Sequence, residues 1–149
     1  MRDPWKHLMK NVELSSEHIV YVRNRGETSV IPPKKTRYEI TITIEDLKEL
    51  WRIQNGKCFW LGIDMSLEDL FVSYSPFAVS VERLDSNRGY HKDNIALTTR
   101  FANKGRGKYD NESFKQRLDD LLENRSKEDI KIPNFVPVEQ GSLEEFLVD

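Results

Sequence analysis

The stretch that decides the reading is PFAVSVERLDSNRGYHKDNIALTTRFANKGRGK, residues 76–108. It opens with strand character over 78–82, where β-branched and small residues alternate before Arg83, Leu84 and Asp85. A polar loop follows, rich in turn formers: Ser86, Asn87, Gly89, Asp93 and Asn94. Ile95, Ala96 and Leu97 restart a short strand, and from Thr98 the pattern is helical. The expected order is strand, loop, strand, helix.

That order, with its residues, resembles the ββα-metal core of HNH (His-Me finger) endonucleases. Those proteins carry an acidic residue and a His at the end of a strand, then an Asn after a polar loop. Nine positions further on comes Asn or His, in a helix that ends in Lys/Arg and Gly. Here the strand ends Val81-Glu82-Arg83, the loop ends at Asn94, and Asn103 falls nine positions later, followed by Lys104-Gly105-Arg106-Gly107. A subgroup among phage and other viral HNH-like proteins reads P-F-x-x-S-L-D-R-I-D-x-x-x-G-Y-x-x-D-N-V. This chain matches it with Pro76-Phe77, Ser80-Val81-Glu82-Arg83-Leu84-Asp85, Gly89-Tyr90 and Asp93-Asn94-Ile95.

The resemblance implies an α+β fold: a ββα-metal core with flanking helices and an N-terminal strand-containing extension. It implies a DNA endonuclease or nickase that hydrolyses phosphodiester bonds with one divalent ion, Mg²⁺ or Mn²⁺, on oxygen ligands. The ligands would be Glu82 and Asn103, with Asp85 as a rival for Glu82 because it lies in the same turn on a shorter side chain. Arg83 stands where such sites carry the general base, and a guanidinium stays protonated, so it suits clamping a phosphate. Water would be activated by the metal alone, by a carboxylate or by His91, a residue type suited to the role, and Asn94 would orient the base. Lys92, Arg100, Lys104, Arg106 and Lys108 form the expected DNA-binding cluster on double-stranded DNA. Because two nicks need two sites, a homodimer is also implied. The contrasting reading is a catalytically silent nucleic-acid-binding module on the same scaffold; a protein-interaction factor using the acidic tail is a third.

Outside the motif the signals are coarser. At 149 residues, 38% hydrophobic, the chain suits one core with appendages. Residues 1–108 carry a net charge of +4 and 109–149 a net −6, so the basic excess travels with the motif. We divide it into an N-terminal extension (1–37), a nuclease-like domain (38–125) and an acidic tail (126–149). In the extension, 19–22 reads as a strand, 23–26 as a turn, and Pro32-Pro33-Lys34-Lys35 as an extended basic connector. Residues 38–43 alternate toward a strand, and Thr43 with Asp46 forms a near capping box for a helix bearing Leu47, Leu50 and Trp51 and ended by Asn55-Gly56.

Gly56-x-Cys58-x-x-Leu61-Gly62 follows a segment that holds structural zinc in many HNH proteins, but Leu61, Phe101 and Ala102 stand where cysteines are needed. No structural zinc is expected; packing by Phe59, Trp60 and Phe101 would replace it, with Cys58 a buried small hydrophobe. A loop or short helix is expected over 66–75. Residues 111–122 should form a helix with Phe114, Leu118, Leu121 and Leu122 on one side, and SLEEFLVD at 142–149 a short capped one. A single cysteine, no membrane-length apolar run and no apolar signal core point to an intracellular protein that is neither secreted nor membrane-bound.

Overall fold

The N-terminal helix α1, Pro4–Ser16, starts where Asp3 can cap it: its carboxylate accepts from the amides of Trp5 and Lys6, and Pro4 occupies the first turn, where no amide is needed. Leu8 and Val12, one turn apart, are buried with Ser16. The computed structural model describes residues 2–20 and 34–125, so the expected turn at 23–26, the Pro32-Pro33 step and the tail from 126 lie outside the described residues. Strand β1, Glu17–Val20, pairs antiparallel with β2, Lys34–Arg37, in the register Glu17↔Arg37. Lys34 and Lys35 therefore belong to a strand and not to an extended connector.

The segment 38–43 forms no continuous strand; it contributes one parallel bridge, Ile40↔Tyr90. Helix α2, Ile44–Ile53, is capped as expected: the Thr43 hydroxyl accepts from the Asp46 amide, and the Asp46 carboxylate accepts from the Thr43 amide. Those hydrogen bonds, the backbone one foremost, hold the Asp46 carboxyl below its ordinary value. The helix ends on Asn55 and Gly56, both at positive φ. Leu47 is fully buried, and Trp51 meets Trp5 of α1 edge-on, with ring centroids 5.9 Å apart.

After a 3₁₀ turn at Glu68–Phe71, β3 (Val79–Arg83) and β4 (Ile95–Thr99) pair antiparallel, Val79 opposite Thr99 and Arg83 opposite Ile95. β4 runs two residues beyond the expected 95–97, because Thr98 and Thr99 are β-branched and wholly buried. The Thr99 hydroxyl then accepts from the Ala102 amide and starts α3, Arg100–Arg106; α4 is Asn111–Arg125. On α4, Leu118 is buried, whereas Leu121 and Leu122 are more than half exposed, so the expected four-residue apolar side is shorter.

Cys58 is buried, its Sγ accepting from the Thr99 amide at 3.2 Å. The expected aromatic packing around it is corrected: Phe59 and Phe101 are about half exposed, and only Trp60 is enclosed, edge-on to Phe59 and Phe114 with centroids 5.0 Å away. The fold among the described residues is thus α+β, with four α-helices and two two-stranded antiparallel sheets. Leu8, Val12, Leu47, Val79, Val81, Tyr90 and Leu97 share one core. Residues up to Leu118 form one compact unit, and the candidate site lies within it. No helix among the described residues is long and apolar enough to cross a membrane.

Candidate functional site

The β3–β4 hairpin, its loop and α3 bring Glu82, Arg83, Asn103 and Arg106 to one cavity and tie Asp85 to Asn94 beside it. Asn94, 2% exposed, uses its whole amide: Oδ1 accepts from the Asp85 amide at 2.9 Å, and Nδ2 donates to the carbonyls of Asp85 and Gly89 at 3.0 and 2.9 Å. A buried amide so satisfied fixes the loop's two ends against each other. Asp85 is exposed, its carboxylate accepting from the Asn87 amide, and it caps the turn.

Arg83 lies with its guanidinium 3.6 Å from the centroid of the Tyr38 ring, and its Nη1 donates to the carbonyls of Ser86 and Arg88. It therefore shapes the loop from within. Gly89-Tyr90 has an equally local cause. A Cβ at Gly89 would stand 2.3 Å from the Glu39 carbonyl oxygen, while the Tyr90 amide donates to that oxygen at 2.8 Å and the Tyr90 carbonyl accepts from the Thr41 amide at 3.0 Å. Tyr90 is 4% exposed, and burial pushes its phenol up. Gly89→Ala should consequently cost about 1–3 kcal/mol through backbone overlap, read as a lowered midpoint in urea unfolding.

Glu82 and Asn103 line one cavity of about 210 Å³, together with Ser80, Arg83, Tyr90 and Arg106. Ser80 and Glu82 alternate onto the same face of β3, and Asn103 reaches that face from α3, its Nδ2 donating to Ser80 Oγ at 2.7 Å. Glu82 is 2% exposed, and both carboxylate oxygens are engaged: Oε1 accepts from Arg106 Nη1 and Oε2 from Trp60 Nε1, each at 2.6 Å. Arg106 is 4% exposed; its Nη1 and Nη2 also reach the carbonyls of Arg83 and Leu84, while its Nε, buried, has no partner. Desolvation pushes the Glu82 carboxyl above its ordinary value, against the downward pull of the hydrogen bonds from Arg106 and Trp60 and of the Arg106 charge.

These contacts test the divalent ion that the resemblance implies. An ion at Glu82 would have to share the carboxylate with a guanidinium already in direct contact with Oε1, and like charges there repel. Asp85 is committed to its turn, and no three or more His, Cys, Asp or Glu gather as a metal group among the described residues. In this arrangement a divalent ion at Glu82 would have to displace the Arg106 guanidinium from the carboxylate.

His91 lines no part of the cavity; its Nδ1 is 2.9 Å from the Thr41 hydroxyl and its Nε2 3.6 Å from Glu39. The expected basic cluster is also divided. Arg106 leaves it, because α3 turns Ala102 and Arg106, one turn apart, into the interior. Lys92 is paired with Glu49 at 2.9 Å and Asp46 at 3.4 Å. Arg100 is half-buried, donating to the Ser75 carbonyl, and Lys104 and Lys108 are exposed without an ion pair among the described residues. Trp60 and Ser80 belong to the site although the motif reading gave them no such role. The indole of Trp60 and the hydroxyl of Ser80 are the only sequence signals, and neither names its partner. No family model, curated protein or solved structure matches the chain.

Proposed function

We propose that this chain binds nucleic acid, double-stranded DNA foremost, through a hairpin–helix scaffold of the ββα kind. The observation that carries this reading is the internal neutralisation of Glu82, the one buried acid among the described residues, by Arg106, which leaves Arg100, Lys104 and Lys108 of α3 and its end as a basic edge. Lysine and arginine along an edge attract a phosphodiester backbone by counterion release, without need of base contacts.

A second reading, metal-dependent endonuclease or nickase, is favoured by Glu82 and Asn103 sharing one cavity at the spacing of HNH sites. It requires Arg106 to withdraw from the carboxylate. Incubation of supercoiled plasmid with the protein and Mg²⁺ or Mn²⁺, beside Glu82→Ala and Asn103→Ala and with duplex binding measured across salt, separates the two. We expect salt-dependent binding without cutting. Nicking by the parent that both variants lose would establish the endonuclease instead, and absence of binding at low salt would sink both.

A further inference from the structure

Three cavities near α1, β3 and α3 share lining residues. The polar cavity at Glu82 shares Ser15, Ser80 and Asn103 with an open groove of about 490 Å³, and the groove's other lining residues are Asn11, Leu14, Arg100 and Lys104. A small pocket of about 50 Å³ between them is bordered by Asn11, Ser15, Ser80 and Arg100. α1 therefore supplies one wall and α3 the other. The α3 wall is cationic, no acidic side chain among the described residues lines the groove, and the α1 wall offers an amide, a hydroxyl and a leucine that is 64% exposed.

We infer that α1, which lies outside the motif-bearing segment, forms the second wall of a track for a nucleic-acid strand that runs between α1 and α3 toward the Glu82 cavity. Arg100 and Lys104 face its phosphates, Asn11 offers a hydrogen-bond partner, and Leu14 gives an apolar surface for a sugar or base. The groove is of the size that ordinarily holds a small organic group, enough for a nucleotide, and its charge suits phosphate. This inference rests on the nucleic-acid reading above.

The test uses the full chain and a fluorescein-labelled oligonucleotide of mixed sequence, offered as DNA duplex, DNA single strand and RNA single strand, with binding followed by anisotropy across salt. Asn11→Glu/Leu14→Glu, which adds two negative charges to the α1 wall, should weaken binding by about tenfold or more, since like charges meet the phosphates. Leu14→Lys should strengthen it and steepen its salt dependence, an outcome that damage to α1 would not produce. Lys48→Glu, an equal change of charge on exposed α2, should bind as the parent does. A strand of duplex DNA is the expected occupant, so the duplex should show the largest effect; a larger effect on either single strand would overturn that assignment. If the parent binds but the α1 variants match it while Lys104→Glu weakens binding, the track is wrong and the nucleic-acid reading stands. If the parent binds none of the three, both fall.

Discussion

Arg106→Met should cost the fold about 3–5 kcal/mol at neutral pH, the usual consequence of leaving one member of a buried ion pair without its partner. The side chain is 4% exposed, contacts Glu82 at 2.6 Å and holds the carbonyls of Arg83 and Leu84, so nothing else can replace its charge. The loss should depend on pH in a defined sense. Burial already raises the Glu82 carboxyl in the folded protein, and removing Arg106 takes away a force that lowers it. A group whose folded pKa lies above its unfolded value contributes stability that is present below the unfolded pKa and lost as pH rises through the folded one. In Arg106→Met the folded value is higher still, so acidification, by protonating Glu82, should recover part of the deficit. Urea unfolding of parent and variant at neutral and mildly acidic pH measures this. A deficit that stayed constant or grew on acidification would mean that Glu82 is not the group left uncompensated.

Asn94→Ala should cost about 2–4 kcal/mol, because it strands the Asp85 amide and the Asp85 and Gly89 carbonyls at a site that is 2% exposed. Asn94→Asp is the sharper variant. It keeps the volume and the acceptor for the Asp85 amide but turns the donor toward two carbonyl oxygens into a further acceptor. It should be at least as destabilising as alanine at neutral pH and improve on acidification, when a protonated carboxyl can donate once. Unfolding by urea checks the stabilities. If Asn94→Asp matched the parent, the carbonyls of Asp85 and Gly89 would not depend on the Asn94 amide for a donor.

These variants bear on how much of the site could be read beforehand. The positions of Glu82, Asn94 and Asn103 are legible because a strand end and a loop end leave local marks, β-branched residues and turn formers, and the spacing of the motif places Asn103 nine residues on. Their partners are not. In the sequence Lys104, Arg106 and Lys108 form one basic run, which implies an exposed Arg106. Only the pitch of α3, which aligns Arg106 with buried Ala102, turns it inward onto Glu82. Arg83 was read as a phosphate clamp from its charge, whereas the ring of Tyr38 and the carbonyls of Ser86 and Arg88 hold it.

α1 is not among the expected elements: the N-terminal extension reads only as a strand, a turn and a basic connector, and the Asp3-Pro4 cap with the one-turn spacing of Leu8 and Val12 is recognisable only beside the structure. By itself the chain determined the α2 cap, the hairpin and the burial of Cys58, because each depends on residues within a few positions or on plain hydrophobicity, whereas the expected helix start at Thr98 gave way to a strand that runs through Thr99. Only the tertiary structure decided that Trp60 and Arg106 would close on Glu82, that the Glu39 backbone would press on Gly89, and that α1 would stand across from α3. Each of these joins residues far apart in sequence, and the energy that selects a partner arises only when folding has removed the water between them.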